Sequence, residues 1–503
     1  MAVAKRWKGQ SMSKKPNILF LLTDQQRPDS LGSYGSKEAK TPAIDALAEN
    51  GVVFDNCYVQ NPLCCPSRYS IVTGLYPHEH GVISNWYAPR DTVESFGHAL
   101  GRSGYNTSLI GKMHFTPWQD CFGFDGRIIA EAKSHTNCPD DYEMFLRRHN
   151  TSREKLYDKS NPEYVRKCTA VDSKVPKELH IDSFVGMSVI EYLKKVEGPF
   201  CSFASFLSPH NPYDPPEEYK ALFEEADLPK KSMAVNEIEN KPREAYDYIN
   251  NRLKWPFKTD ELTNQQVALV KRNYYALNTL IDDWIGEIVN TLKERGLYDD
   301  TIIIYSSDHG DLLGDHGLVY KQCFYEQSVK APLIIHCPKL YKPGRSSALV
   351  ESLDLYQTII DMGGAQATQK THSKSLVPLL LGKTDFHRET AISENYFGTM
   401  IRWERYKMVY YAGKTYGELY NLEEDPNEFN NLWECPEYDL LKHDLKGKIL
   451  DWYAMTAATD LKPVRKDHYD NTELEYDMVA GGTKLKEHQS WQLPFMYDFY
   501  KKS

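Results

Sequence analysis

The sequence predicts an α/β fold with a large main domain and a smaller C-terminal one. Three observations carry that expectation. Residues 17–23 are a continuous apolar run of strand length, the pattern of a strand buried on both faces, and 200–207 and 301–305 read as further strands. Helical stretches lie between them, the longest at 264–295, where Leu277, Ile281, Ile285, Ile288 and Leu292 recur at spacings of three and four. At 503 residues the chain exceeds what one minimal core organises.

Composition bounds the function before any motif is read. An apolar fraction of 41% with 34 tyrosines fits a globular enzyme and not a disordered or fibrous chain. A net charge of −10 argues against a nucleic-acid binder held by phosphate contacts. An anionic substrate would need a local cationic pocket. Ten cysteines, two of them adjacent, show no paired framework. Residues 1–15 are basic but lack an apolar export segment, and no apolar run reaches membrane-spanning length. The expectation is a cytoplasmic protein with neither nucleic acid nor membrane as partner, of unreadable oligomeric state. Its parts are an extension at 1–15, a main domain at 16–370, a C-terminal subdomain at 371–460 and a tail at 461–503.

Taken in order, the run at 17–23 ends in Asp24-Gln25, at the strand edge where open α/β sheets bind ligands. Thr41-Pro42 opens a helix as N-cap and first residue, with Ile44, Leu47 and Ala48 on its apolar face and Gly51 as its stop. An extended segment at 54–59 leads to Cys64-Cys65-Pro66-Ser67-Arg68, which continues as a helix to Thr73-Gly74. A cysteine at a helix N-terminus faces unpaired N–H groups and the positive end of the dipole. After a helix at 95–102 and a strand at 106–110 come Gly111-Lys112-Met113-His114, with Lys112 and His114 two apart on an extended segment and so on one side. Residues 115–195 read as surface insertions, and 214–262 as a charged excursion on the substrate side. The strand at 200–207 ends in Ser208-Pro209-His210-Asn211-Pro212-Tyr213, and the strand at 301–305 leads to Asp308-His309-Gly310. Carboxylate and imidazole at one strand end, with Asp24-Gln25 at another, signal a metal. Asp315 and His316 read as further ligands or as a supporting turn. Short antiparallel strands at 402–411 and 417–422 and a helix at 440–455 make up the C-terminal part.

The pentapeptide at Cys64 resembles the signature of the type I sulfatase family, whose first cysteine is oxidised to formylglycine, an aldehyde hydrated at rest. Counting from Cys64 puts Pro66 and Arg68 in register, whereas counting from Cys65 puts Ser67 and Tyr69 there, which selects Cys64. The segments at 41–48, 111–114, 208–213 and 308–310 are similar to motifs of the same family, in the same order, as is Leu419-Tyr-Asn-Leu-Glu-Glu-Asp-Pro-Asn-Glu428. The resemblance runs from Asn17 to about Met455. It implies an alkaline-phosphatase-like fold: a mixed, largely parallel sheet between helices, then a small antiparallel sheet with a helix.

The resemblance also implies roles. Asp24, Gln25, Asp308 and His309, with position 64, would hold one divalent cation, Ca²⁺ first and Mg²⁺ or Mn²⁺ as alternatives. Hydrated formylglycine at 64 would attack sulfur, and its second hydroxyl would let the sulfate leave by elimination, an exit that thiol or serine lacks. Arg68 would stabilise the hydrate, with His114 as base. Lys112 and Lys321 would neutralise sulfate oxygens, and His210, with Lys321, would protonate the leaving alcohol. Asn85 is a candidate contact to a substrate oxygen. A formylglycine-generating enzyme is the implied maturation partner. Many sulfatases are exported, so the expected cytoplasmic location departs from that pattern.

Two other functions compete. A phosphonate monoester or phosphodiester hydrolase uses the same aldehyde and resembles Asp24-Gln25 and Asp308-His309, but Lys112 and His114 argue against it. A non-catalytic sulfoglycan-binding module has no need for the intact set of reactive residues. Among small-molecule or oligosaccharide sulfate esters, a carbohydrate sulfate comes first and an aryl or choline sulfate second.

Overall fold

The computed structural model describes residues 15–132, 139–156, 162–171, 173–224, 226–239 and 241–457. The tail expected at 461–503, and all of the 1–15 extension but Lys15, lie outside them. The main sheet consists of β1 (Asn17–Asp24), β2 (Val52–Tyr58), β3 (Asn106–Gly111), β4 (Gly126–Ile129), β5 (Phe200–Pro209), β6 (Thr301–Ser307), β7 (Leu333–His336) and β8 (Gly344–Glu351). Their spatial order is β4-β3-β5-β1-β6-β7-β2-β8. β1 pairs in parallel with β5 on one side and β6 on the other. The other pairings are parallel too, except that β7 runs against both β6 and β2.

The principal helices are α1 (Pro42–Glu49), α2 (Cys64–Thr73), α3 (Phe96–Arg102), α4 (Ile181–Lys195), α5 (Glu244–Leu253), α6 (Asn264–Glu294), α7 (Asp354–Met362) and α8 (Asp439–Thr456). Alternation along β1 divides the core. Ile18, Phe20 and Leu22 pack with Tyr69 and Ile71 of α2, Leu100 of α3 and Ile359 of α7. Leu19 and Leu21 pack with Ile44 of α1, Val185 of α4 and Ile285 of α6. A sheet covered on both faces needs strands apolar throughout, and β1 is buried at every position. Among the described residues no helix is long and apolar enough to cross a membrane.

Several expectations change. Thr41 precedes α1, but its hydroxyl accepts from Gly32 N and donates to the Asp45 carboxylate instead of capping a helix N–H. The cap is Asp282 of α6, whose two carboxylate oxygens accept from Ala43 N at 3.0 Å and Ile44 N at 2.8 Å. The stretch 115–195 is more than surface insertion: it supplies β4 and the buried helix α4. Past β3 the chain leaves the extended form, and His114 has φ +58°.

The second sheet, β9 (Thr390–Glu394), β10 (Thr399–Trp403), β11 (Tyr406–Tyr410) and β12 (Gly417–Asn421), is antiparallel throughout. The segment expected as one strand at 402–411 is therefore a hairpin. Leu445, Ile449 and Trp452 of α8 cover this sheet. The motif at 419–428 ties it to the main domain through Glu428, whose carboxylate accepts from Glu326 N at 2.7 Å and pairs with Lys407.

Candidate active site

β2 leads into α2, whose first residue is Cys64 and whose ten residues are all buried. Cys64 Sγ lies 3.2 Å from His309 Nε2 and 3.7 Å from Asp24 Oδ1. Cys65 points elsewhere: its thiol donates to His114 O at 2.8 Å, and its N–H donates to Asn85 Oδ1 at 3.1 Å. Neighbouring cysteines thus meet different surroundings, and the cluster forms around Cys64.

Asp24 ends β1, and Asp308 and His309 follow the adjacent β6. Arg68, one turn along α2 from Cys64, is fully buried between the carboxylates. Its Nε donates to Asp308 Oδ2 at 2.8 Å and its Nη2 to Asp24 Oδ2 at 3.0 Å. Its Nη1 donates to Ser205 Oγ at 2.8 Å and to Lys112 O at 2.5 Å. Lys112 Nζ adds a bond to Asp24 Oδ2 at 2.5 Å. These cations occupy the Oδ2 atoms; Asp24 Oδ1 faces Cys64, and Asp308 Oδ1 accepts from Gln25 N at 3.0 Å. His309 is set in the same way: its Nδ1 contacts Gly310 O at 2.9 Å, which turns Nε2 inward. One ligand atom each from Asp24, Cys64, Asp308 and His309 lies within 4.8 Å of the others, all buried. Two carboxylate oxygens and one imidazole nitrogen, each oriented by a second bond, fit a divalent cation.

Two glycines allow close approach. A Cβ on Gly310 would stand 1.9 Å from Gln327 O, and one on Gly111, at φ +95°, 2.1 Å from Ser205 O. After Gly111 the chain turns, and a single carboxylate oxygen of Glu131 accepts from Met113 N and His114 N, both at 3.0 Å, and from Arg127 Nη2 at 2.7 Å. The turn brings the His114 ring close to Cys64. From β5, His210 Nδ1 contacts Asn211 O at 2.6 Å, so its other nitrogen serves the Cys64 side. Gln25 Oε1 accepts from Lys321 Nζ, and Gln25 Nε2 donates to Asp311, which also takes the Tyr213 hydroxyl at 2.6 Å. Gln25, His114, Tyr320 and Gln322 all have φ between 58° and 80°, conformations that residues with a Cβ avoid unless held.

The electrostatics follow from burial and these neighbours. Burial pushes the Cys64 thiol up, but Lys321, Lys112, His309 and His114 together bring it well below its ordinary value. Burial, with Cys64 and Glu131, pushes up Cys65, and here Arg68 and Lys112 do not outweigh it. Burial and Cys64 raise Asp24, yet Lys112, His210 and Arg68 outweigh them and hold it low. Asp308 is raised by burial and by the charge of Asp24. Burial, then Lys321 and Lys112, lower His210 to about 4.

The structure thus gathers Asp24, Cys64, Arg68, Lys112, His114, His210, Asp308 and His309, with Gln25 and Lys321 joined to each other at the margin. Asn85 touches the backbone of α2. Asp315 and His316 stand apart as a supporting turn: Asp315 pairs with Arg27 at 2.7 Å and Lys271 at 3.0 Å, and His316 bonds Glu237 and stacks on Tyr325. Sequence reasoning missed Glu131, Asp311 and Ser205. Only Asp311 had a signal, its place directly after Asp308-His309-Gly310.

The family model described as "Sulfatase" matches residues 16–365. One described as "N-sulphoglucosamine sulphohydrolase, C-terminal" matches 314–454. The chain is 29% identical to an arylsulfatase of Clostridium perfringens, over 84% of this chain and 91% of that protein. It is 26% identical to an N-acetylglucosamine-6-O-sulfatase of Bacteroides thetaiotaomicron, over 95% and 91%. Among solved structures, the phosphonate monoester hydrolase of Agrobacterium radiobacter superposes with a TM-score of 0.77 at 25% identity, covering 90% of this chain and 99% of that one.

Proposed function

Since the chain belongs to the sulfatase family, we propose that it hydrolyses a sulfate monoester of a carbohydrate, with position 64 converted from cysteine to formylglycine. The observation that carries this reading is the placement of Cys64 Sγ between Asp24 Oδ1 and His309 Nε2, beneath a rim of Lys112, His114, His210 and Lys321. In the active protein an aldehyde hydrate replaces this thiol. It offers one hydroxyl to attack sulfur and a second through which the sulfate can be expelled. Asp24, Asp308 and His309, with position 64, would hold a divalent cation, and Gln25 would join them by giving up its bond to Lys321. Ca²⁺ is preferred, with Mg²⁺ and Mn²⁺ as alternatives; the ion would supply charge neutralisation and acidify the nucleophile.

The remaining chemistry belongs to the side chains. Arg68 keeps both carboxylates oriented. Lys112 and Lys321 neutralise sulfate oxygens in a dry site. His114 takes the proton from the second hydroxyl, and His210 delivers one to the departing alcohol. Asn85 fixes the start of α2 through Cys65 N. Maturation needs a formylglycine-generating enzyme as partner.

Mass spectrometry of the peptide containing Cys64, from a host able to perform the conversion, tests the reading. The expected change is exchange of one sulfur and two hydrogens for one oxygen. An intact thiol in protein that hydrolyses aryl sulfates would refute the aldehyde. The similarity to a phosphonate monoester hydrolase favours one other reading, hydrolysis of phosphonate monoesters or phosphodiesters. Comparing kcat/KM on aryl sulfate and aryl phosphonate separates the two, and a preference for phosphorus overturns the sulfate assignment.

A further inference from the structure

The side of the site facing away from the carboxylates is assembled by segments far apart in sequence. The bond from Cys65 N to Asn85 Oδ1 seats the neighbouring loop on the first turn of α2. Within that loop Tyr87 N donates to Ser84 O at 3.3 Å, and Tyr396 stands close to both residues. Next to Tyr396, Asn395 Nδ2 donates to Gln322 O at 3.2 Å, and Gln322 follows Lys321, whose ammonium sits on Gln25. From α5, Tyr248 packs edge-on against Phe397, the residue after Tyr396, with ring centroids 5.3 Å apart. One turn further, Arg252 Nη1 donates to Gln322 Oε1 at 3.0 Å.

These side chains lack the usual structural reasons for being where they are. Tyr87 is 44% exposed and Tyr396 50%, so neither is core. Arg252 is exposed, and among the described residues its guanidinium has no carboxylate partner; one amide oxygen takes a single one of its five N–H groups. Gln322, which fixes both Arg252 and Asn395, is held at φ +80° beside a catalytic lysine candidate. Such strain persists where the surrounding structure imposes it.

We propose that Tyr87, Tyr248, Tyr396 and Arg252 form the subsite for the alcohol half of the substrate, and that this alcohol is an anionic saccharide. The inference rests on the sulfate-ester reading above. Aromatic faces receive the C–H face of a sugar ring. The planar guanidinium fork matches a carboxylate or second sulfate on the same ring or the next. The same charge repels a quaternary ammonium group, and a simple aryl alcohol would leave it without an anion.

The test uses 4-nitrophenyl sulfate turnover as reporter and a uronate-containing disaccharide as competitor, beside the same disaccharide with its carboxylate reduced to an alcohol. The uronate form should inhibit competitively with a constant about tenfold lower than the reduced form, as one charge-assisted pair supplies. Arg252→Gln should bring the ratio of the two constants near one, and Arg252→Lys should keep part of it. Tyr396→Ala should weaken both competitors. Equal inhibition by both forms, or inhibition by neither, overturns the subsite. Loss of 4-nitrophenyl sulfate turnover in the parent protein would strike the sulfate-ester reading instead. Calorimetric titration of the same pair of disaccharides then decides the subsite on its own.

Discussion

Glu131 is the strongest test of how the site is built, because no motif announces it and three donors converge on one of its oxygens. It accepts Met113 N and His114 N at 3.0 Å and Arg127 Nη2 at 2.7 Å, and Arg127 is itself 1% exposed. Each bond to a buried carboxylate is worth about 1.5–3 kcal/mol, and breaking a buried ion pair by removing one partner costs about 3–5 kcal/mol. Glu131→Ala therefore approaches the whole stability of a domain, about 5–15 kcal/mol, and reports on folding. Glu131→Gln is the informative change, since it keeps an acceptor of similar shape while roughly halving the bonds. The turn holding His114 at φ +58° then loosens, and kcat on 4-nitrophenyl sulfate should fall about 10–100-fold with a smaller change in KM. If Glu131 acts through His114, the same change in a His114→Ala background should cost far less. Additive losses, or parental kcat in Glu131→Gln, would refute the argument. A pH dependence follows as well. Burial raises this carboxyl, but Arg127 and His114 outweigh it and hold it below the ordinary range. Its stabilising contribution is thus complete above the ordinary carboxylate pKa and disappears as pH falls through the lowered folded value, and Glu131→Gln should remove that acid sensitivity from the unfolding midpoint.

Two further outcomes can be checked directly. His210→Ala should depress kcat/KM by about 10²–10⁴ on sugar sulfates, whose alkoxide needs a proton, and by much less on 4-nitrophenyl sulfate; equal losses would remove His210 as the acid. Asp282→Ala should lower stability by about 1–2 kcal/mol, the worth of a helix cap, because it frees Ala43 N and Ile44 N at the start of α1. An unchanged denaturant midpoint would show that the cap contributes nothing.

The strand ends were legible because burial on both faces leaves little but apolar residues in β1, β5 and β6, so Asp24, His210 and Asp308 stand out where those runs stop. Elements of other character stayed hidden. The first four residues of β8 are exposed or half-exposed, which erases the periodicity that announces a strand. α4 carries Gly186 inside it, a residue that reads as a helix breaker. A Cβ there would lie 2.5 Å from the Trp284 ring of α6, so the glycine marks a close helix contact. Asp282 and Glu131 escaped for a different reason. Each acts on backbone groups remote in sequence, Asp282 on α1 and Glu131 on the turn that parallel pairing of β3 with β4 brings alongside. No local pattern encodes such a partner.

The burial of Cys64 also sets a clock. Its side chain is 1% exposed, and the walls around it come from both ends of the catalytic domain: the Ser67 hydroxyl closes on Asp308 O across 241 residues of sequence. A ribosome adding about 5–20 residues per second needs roughly 10–50 s to deliver that stretch. Were Cys64 oxidised as proposed, the enzyme would have to reach the cysteine while the chain is still open, and maturation would be a race between modification and folding. Protein that folds first keeps its thiol beyond reach, and only unfolding reopens the opportunity. The fraction of active molecules would then record the conditions of synthesis, and conditions that slow folding should raise it.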